Sequence, residues 1–399
     1  METEESISSS ISVEIDFSGI QDLFLVSTPL QVINAFEALE YFDCEPDRSL
    51  IVLLDNHTPM NSRHLKQIVA HQGWRNVVHL PSMRQQYLAR LRLARRSALK
   101  RNSLRIFEYL LQRTMGIPIE QALVGRHCFS ELKQLCKSLP KLRICFVGYF
   151  GSPYMRHASN SVETERVEIL EEGVNQLHLY DDVHAKTSKF SRIFYLNPYA
   201  NQMRRMFFGL KLRAVMPLHF FTAYDLQTTD KIIVSRNMYP RFRRALQSTR
   251  STEDVYFLGE WLTAWNCFSD DEYVKYLRKA REDYSGRRFI FLPHRRTPKS
   301  TQDAILKIPG IEVQDLGGPV EVALSSMDPR PGVVTGFFSS ALFNVSMMFG
   351  DAIEVSAYRI PTSHMKKNLR EFIDDFYDYS DRYFGSRVRV IDRLLADVH

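Results

Sequence analysis

Two adjacent carboxylates, Glu171 and Glu172, follow the apolar run Val167–Leu170 and precede Gly173. A carboxylate beside a substrate can take a hydroxyl proton, and such general-base catalysis contributes ~10²–10⁴ in rate. Adjacent residues of an extended chain point to opposite faces, so only one of the pair is expected to face a substrate. By itself the stretch also fits an ordinary charged turn after a strand.

A basic stretch, His294-Arg295-Arg296, comes after the apolar run Phe289–Leu292 and Pro293. One titratable imidazole beside two permanently charged guanidinium groups suits a phosphate. Arginine supplies bidentate, charge-assisted hydrogen bonds, and histidine can exchange a proton near neutral pH. A surface basic cluster is the alternative interpretation.

A pair of hydroxyl side chains, Ser339 and Ser340, follows Val333–Thr335 and a glycine that permits a turn. The pair is expected to cap a helix, whose free N–H groups and positive dipole end attract anions. Upstream, Glu321 follows the tight turn Gly317-Gly-Pro and suits the diol of a ribose. Alone, the serines are equally well explained as plain helix caps.

Apolar runs that resemble buried strands alternate with helical stretches such as Asp271–Glu282 and Met365–Tyr377, which predicts an α/β fold with parallel sheets. Because single cores rarely exceed ~250–300 residues, we expect a tail over 1–14 and two facing Rossmann-like domains, 15–228 and 229–399. Ligands in such sheets bind beyond the carboxyl ends of strands. The predicted strands are Leu23–Val26, Leu50–Leu54, Val77–Leu80, Leu142–Val147, Val167–Leu170, Ile232–Val234, Val255–Phe257, Phe289–Leu292, Ile311–Gln314, Val333–Thr335 and Ala352–Val355.

Composition and missing motifs narrow the class of protein. The chain has 399 residues, a formal charge of +6 and five scattered cysteines, which we interpret as reduced thiols. Neither a dinucleotide-binding glycine motif, a P-loop, nor an HExxH or CxxC metal frame is present. Tyr180-Asp181-Asp182 is interpreted as a solvated loop rather than a metal site. The uncharged segment Pro331–Gly350 is expected to form a buried strand, a turn and a helix rather than a membrane span.

The three strand-end stretches, in this order and spacing, resemble the (D/E)(D/E)G, HP and SS/T motifs of bacterial sialyltransferases. The similarity is closest to the polysialyltransferase and lipooligosaccharide sialyltransferase families, whose opening strand and proline-containing helix start also resemble LFLVSTPLQVINA from Leu23. The likeness covers most of the chain but rests on short motifs. Arg295 stands where the HP motif has proline, a departure that leaves the histidine role intact.

This resemblance implies a GT-B fold with an N-terminal acceptor domain and a C-terminal domain that binds CMP-sialic acid. It implies inverting transfer to a bacterial capsule or lipooligosaccharide glycan, with no metal and no cofactor. A transferase for another CMP-activated acidic sugar, such as Kdo or another nonulosonate, is the alternative. The implied roles are Glu171 as base with Glu172 second, Gly173 as the backbone bend, His294 and the neighbouring Arg295 at the leaving phosphate, Ser339 and Ser340 on its oxygens, and Glu321 on the ribose or cytosine.

The segment 84–107 carries eight arginines and lysines and no acid, interleaved with apolar residues. It is expected to contact a polyanionic glycan or an anionic membrane surface, with a plain solvated face as the alternative. Arg204–Lys211 is also expected to face the membrane. This indicates a cytoplasmic protein, peripheral on the inner membrane. A non-catalytic nucleic-acid or polyanion-binding protein is the distant alternative, because the segment offers only Tyr87 and Phe107 for base stacking.

Overall fold

The computed structural model describes residues 16–54, 65–70, 73–80, 131–184, 202, 205, 210–214, 216–363, 365–384 and 387–394. The chain divides into two compact units. The first comprises Met1–Leu170 and Thr187–His219, and the second comprises Glu171–Lys186 and Phe220–His399. The basic segment 84–107 lies outside the described residues, and so does most of Arg204–Lys211.

Five strands of the first unit pair in parallel in the order β3-β2-β1-β4-β5. All residues of β1 are buried, because an apolar strand of a parallel sheet is covered on both faces. These strands confirm the five runs predicted in this part of the sequence. They are β1 (Asp22–Val26), β2 (Ser49–Leu54), β3 (Asn76–Leu80), β4 (Leu142–Val147) and β5 (Thr164–Leu170).

The first described helix, α1 (Pro29–Tyr41), begins where the sequence predicted. The Thr28 hydroxyl accepts a hydrogen bond from the Gln31 backbone N–H at 3.3 Å, and Pro29 occupies the first helical position. A short helix, α2 (Pro153–Ser159), follows β4. Residues 65–70 and 131–138 are also helical.

Six strands of the second unit form an all-parallel sheet in the order β10-β9-β8-β11-β12-β13. The chain builds outward from β8 to one side and then returns to place β11 on the other side of β8. The gap between β8 and β11 is therefore a topological switch point, where ligands of open α/β sheets bind. The strands are β8 (Val255–Leu258), β9 (Phe289–Leu292), β10 (Ile311–Val313), β11 (Val333–Gly336), β12 (Glu354–Tyr358) and β13 (Arg389–Ile391).

Helices of the second unit connect these strands. Ser269 and Glu272 form a reciprocal capping box at the start of α5, as expected for a helix with acidic residues in its first turn. The helices are α3 (Val174–His184), α4 (Pro240–Leu246), α5 (Asp270–Glu282), α6 (Lys299–Ile305), α7 (Val320–Ser325), α8 (Ser340–Phe349) and α9 (Lys367–Tyr379). Two parallel sheets with helical connections confirm the predicted α/β class.

The uncharged segment Pro331–Gly350 is a buried strand, a turn and a buried helix, as predicted. Across the ranges given above, the structure contains no helix with the length and hydropathy that crossing a membrane requires.

Four predictions about local structure were incomplete or wrong. β6 (Leu218–Thr222) and β13 were missed, whereas β7 (Ile232–Arg236) confirms the predicted run Ile232–Val234. β12 begins at Glu354 rather than Ala352, because a 3₁₀ turn over Gly350–Ala352 prolongs α8. Tyr180-Asp181-Asp182 lies in α3 and not in a loop. Asp181 accepts a hydrogen bond from the Tyr383 hydroxyl at 2.6 Å, so its role is to attach α3 to the C-terminal part of this unit.

Candidate active site

Three adjacent strands of the second sheet end at one cavity. Because β8 lies between β9 and β11, the residues that follow these strands meet at the same edge: Glu260, His294 and Ser339. The cavity has a volume of about 280 Å³, near the lower end of the ~300–1,000 Å³ usual for ligand sites. Every residue that lines it belongs to the second unit.

His294 is fixed in the tautomer that can donate into this cavity. The Arg296 backbone N–H donates to His294 Nδ1 at 3.1 Å, so the ring proton of the neutral imidazole resides on Nε2. Burial, with the positive charges of Arg295 and Arg296, lowers the pKa of His294 to about 4. At neutral pH the free protein therefore presents an uncharged N–H donor, and an anion in the cavity would raise this pKa.

Ser339 and Ser340 begin α8 at the cavity. Ser339 is the N-cap, and its hydroxyl accepts from the Ala341 backbone N–H at 3.3 Å. The half-buried Ser339 and the exposed Ser340 bring hydroxyl groups to the end of a ten-residue helix where free N–H groups and the positive dipole end converge. This arrangement can bind an anion of the size of one phosphate.

Glu260, which sequence analysis missed, lies between these two donors at the switch point. It is 3% exposed, and its carboxylate accepts from the Phe337 backbone N–H at 2.9 Å and from the Tyr273 hydroxyl at 3.1 Å. Burial raises its pKa to about 8, against hydrogen bonds that lower it. The signal was available, because Gly259-Glu260 follows the predicted strand Val255–Phe257 as His294 follows β9.

The start of α3 with the turn before it, and one face of α9, also line the cavity. Glu172, Asn175 and His178 come from the first, and four residues at helical spacing come from the second: Phe372, Asp375, Phe376 and Tyr379. The Tyr379 hydroxyl lies 2.8 Å from His178 Nδ1 and holds the two helices together. Of the predicted acidic pair, Glu172 is therefore the member that reaches the cavity wall.

Glu171 is buried, with 0% exposure, and does not line this cavity. Its carboxylate accepts from the Ala223 backbone N–H at 2.7 Å, the Thr222 hydroxyl at 2.9 Å and the Tyr239 hydroxyl at 3.4 Å. Burial raises its pKa, while these three donors act in the opposite direction. The pair does divide into two environments, as the alternation of side chains predicted, but the buried member is the one to which the resemblance assigned the base.

The remaining predicted residues lie beside the cavity rather than in its wall. Gly173 has a φ of +64°, a left-handed conformation that glycine adopts without strain. Arg295 is exposed. Glu321 lies in the first turn of α7 and accepts from the Asn344 side-chain amide at 2.7 Å. The predicted contact of Glu321 with a ribose or cytosine stays a prediction.

Three aromatic side chains also line the cavity: Trp261, Phe338 and Phe372. Trp261 packs edge-on against Phe338 with ring centroids 5.9 Å apart, and Phe338 contacts Phe372 at 6.2 Å. Phe372 is 49% exposed. Flat apolar faces next to hydrogen-bonding groups are suited to a nucleobase or to the apolar face of a sugar ring.

Within the described part of the chain, no group of three histidine, cysteine, aspartate or glutamate side chains is arranged to hold a metal ion. No protein-family model matches the chain, and no curated protein matches it. Among solved structures, the chain is similar to an alpha/beta-galactoside alpha-2,3-sialyltransferase from Photobacterium phosphoreum, at 10% identity and a TM-score of 0.49, over 95% of this chain and 99% of that one.

Two further solved structures are similar at the same identity. UGT71G1 of Medicago truncatula, complexed with UDP-glucose, matches at 10% identity and a TM-score of 0.48, over 95% of this chain and 86% of that one. MurG of Acinetobacter baumannii matches at 10% identity and a TM-score of 0.40, over 93% and 85%. The functional proposal therefore rests on the residues of the cavity.

Proposed function

We propose that the protein is an inverting, metal-independent glycosyltransferase of GT-B architecture that transfers sialic acid from CMP-sialic acid to a hydroxyl of a bacterial surface glycan. One observation carries this proposal: an imidazole N–H, two serine hydroxyls and a helix N-terminus converge at the switch point of a parallel sheet. These are the groups that would hold the single phosphate of a CMP-activated sugar.

The serines, the start of α8 and His294 would act on the leaving phosphate. Ser339, Ser340 and the free N–H groups of α8 would bind the phosphate oxygens. When the bond between the anomeric carbon and the phosphate oxygen breaks, that oxygen gains negative charge. His294 Nε2–H would donate a hydrogen bond to it, stabilising the charge as it develops. Arg295 and Arg296, next to His294, would add positive potential from outside the cavity.

Glu172 would supply the base that acts on the acceptor hydroxyl. Glu172 lines the same cavity as the serines, so its carboxylate would take the proton of the acceptor hydroxyl as that oxygen attacks the anomeric carbon. The new glycosidic bond forms on the face opposite the leaving phosphate, which inverts the configuration. Glu171, buried beneath the turn, would hold the backbone of that turn in place through its bonds to Thr222 and Ala223.

The size and charge of the anion site support the choice of donor. A single pair of serines at one helix end suits one phosphate, which favours a CMP-sugar over a nucleoside diphosphate sugar. Kdo or another nonulosonate carried on CMP is the alternative within this class. Contact of the basic segment 84–107 with an anionic glycan or membrane surface remains part of the proposal and is independent of the cavity.

The proposal is tested by incubating the protein with CMP-sialic acid, CMP-Kdo and UDP-galactose against a panel of galactoside and sialylated acceptors. We expect CMP release and a product of inverted anomeric configuration with CMP-sialic acid alone. His294→Ala should reduce transfer by ~10²-fold or more. His184→Ala, an exposed residue at the end of α3, is the matched control and should retain activity. Turnover of CMP-Kdo would select the alternative, and turnover of UDP-galactose would contradict the CMP-sugar assignment.

A further inference from the structure

Glu260 occupies the switch point itself and holds the turn that carries the serines. It accepts from the N–H of Phe337, the first residue after β11, two positions before Ser339. The strand end packs closely on this carboxyl: a Cβ at Gly336 would lie 3.0 Å from Glu260 Oε1. Any side chain at Gly336 would therefore push the carboxyl or the turn away. The position of Ser339 depends on Glu260.

The cavity that Glu260 lines is also lined by His178 and by the carboxyl groups of Glu172 and Asp375, and negative charge on those carboxyl groups would disfavour ionisation of Glu260. The other groups that face Glu260 in the described structure are neutral at neutral pH. They are the Tyr273 hydroxyl from α5, His294 from the end of β9, the Thr297 hydroxyl at 3.5 Å from the Glu260 carbonyl oxygen, and Tyr377 of α9, which donates to the Phe337 carbonyl at 3.0 Å. None of these four groups carries a positive charge to stabilise an ionised carboxylate. Burial without such a charge favours the protonated acid.

A phosphate in this cavity makes ionisation of Glu260 still less favourable. Glu260, Ser339, Ser340 and His294 line the same 280 Å³ space, so a nucleotide phosphate held by the serines would lie within a short distance of the carboxyl. Two negative charges close together in a buried site repel strongly, and the weaker acid retains its proton. The free protein already favours this state, because burial raises the pKa of Glu260 to about 8.

We propose that Glu260 is the positioning residue of the phosphate site and that it is protonated whenever nucleotide is bound, so that nucleotide binding takes up a proton under mildly alkaline conditions. This inference rests on the proposed function, because it requires a nucleotide phosphate at Ser339 and Ser340. The protonated carboxyl keeps its bond from the Phe337 N–H. Above the pH at which Glu260 ionises, the phosphate site loses affinity.

The test is calorimetry of CMP binding at pH 8.5 in two buffers that differ in ionisation enthalpy, with affinities measured from pH 7 to 9.5. At these pH values the phosphate of CMP is already fully ionised, since the second pKa of such a phosphate is ~6. We expect wild type to take up part of a proton, and its affinity to fall about tenfold between pH 8 and 9.5. His294→Asn should take up the same fraction, which separates Glu260 from the imidazole.

Glu260→Gln should show no proton uptake and a flat affinity profile, while the exposed control Glu253→Gln should behave as wild type. Wild type that binds CMP without proton uptake, or Glu260→Gln that retains the wild-type uptake, would overturn the inference and leave the proposed function standing. Wild type that binds no CMP at any pH would overturn the proposed function as well. The wild-type measurement is decisive even if Glu260→Gln folds poorly.

Discussion

Glu171 and Glu260 are two buried glutamates built into the second unit in the same way. Each directly follows a strand or its terminal glycine, and each accepts a backbone N–H and a tyrosine hydroxyl: Ala223 and Tyr239 for the first, Phe337 and Tyr273 for the second. In both cases burial raises the carboxyl pKa. The difference is that Glu260 reaches the cavity and Glu171 does not.

This comparison separates the two members of the acidic pair. A buried carboxylate satisfied by several donors stabilises a turn, because removal of such an acceptor leaves buried donors without partners. Glu171 has that environment, and Glu172 has access to the cavity. Because proton transfer requires contact with substrate, we propose Glu172 as the base and a supporting role for Glu171.

Glu172→Gln is expected to have the largest effect. The amide cannot take a proton, so we expect transfer to fall by ~10²–10⁴ while CMP affinity and the thermal unfolding temperature stay unchanged. Steady-state kinetics with saturating donor measures transfer, and calorimetry measures CMP affinity and the unfolding temperature. Transfer within threefold of wild type would remove Glu172 from the mechanism.

The pH dependence of stability should report the buried glutamates. Glu260 has a folded pKa near 8 against 4.5 unfolded, so the folded state holds the extra proton and stability falls as pH rises toward 8. Below pH 6.5 the histidines act in the opposite direction, since burial lowers the pKa of His157 and His294 to about 4. Between pH 6.5 and 8 we therefore expect the free energy of unfolding to fall by roughly 1–2 kcal/mol.

Urea denaturation at intervals of half a pH unit measures this fall. Glu260→Gln should reduce the slope between pH 6.5 and 8, because an amide does not titrate. A slope that Glu260→Gln leaves unchanged would show that other groups cause the fall.

Glu171→Gln should lower stability rather than chemistry. The Glu171 carboxylate accepts hydrogen bonds from Thr222, Ala223 and Tyr239. In the variant an NH₂ group, which cannot accept, replaces one carboxylate oxygen, so at least one of these donors loses its partner at a cost of about 1–3 kcal/mol. Denaturant unfolding measures this cost, and transfer per folded molecule should fall less than in Glu172→Gln. Abolished transfer with unchanged unfolding would instead make Glu171 the base, as the motif resemblance implied.

Removal of the tyrosine hydroxyls that contact Glu171 and Glu260 should have the smallest effect, and it tests the difference between these two carboxyl groups. Tyr273→Phe removes the 3.1 Å bond to Glu260, and Tyr239→Phe removes the longer 3.4 Å bond to Glu171. We expect each to cost about 0.5–1.5 kcal/mol, with the larger value for Tyr273. Only Tyr273→Phe should shift the pH profile of CMP binding, to higher pH, because it removes a donor that lowers the pKa of Glu260.

The sequence was informative where the chain leaves a strand. Alternating apolar runs predicted the parallel sheets, and residues at their ends predicted His294, Ser339 and Ser340 at the cavity. Contacts that depend on pairing were not visible: β13 is a three-residue strand that exists by pairing with β12. Likewise, Glu260 and Glu172 reach the cavity and Glu171 does not, a difference set by residues far away in the sequence, such as Phe337 and Ala223.

Calorimetry of CMP, UDP and GDP binding to wild type and to Ser339→Ala/Ser340→Ala tests the proposed phosphate site most directly. Ser326→Ala is the matched control, because Ser326 is exposed and lies outside the cavity. We expect wild type to bind CMP more tightly than UDP and GDP. This preference should be lost in the double variant and retained in Ser326→Ala. Equal affinity for the three nucleotides, or CMP binding that the double variant retains in full, would contradict a CMP-sugar phosphate site at the start of α8.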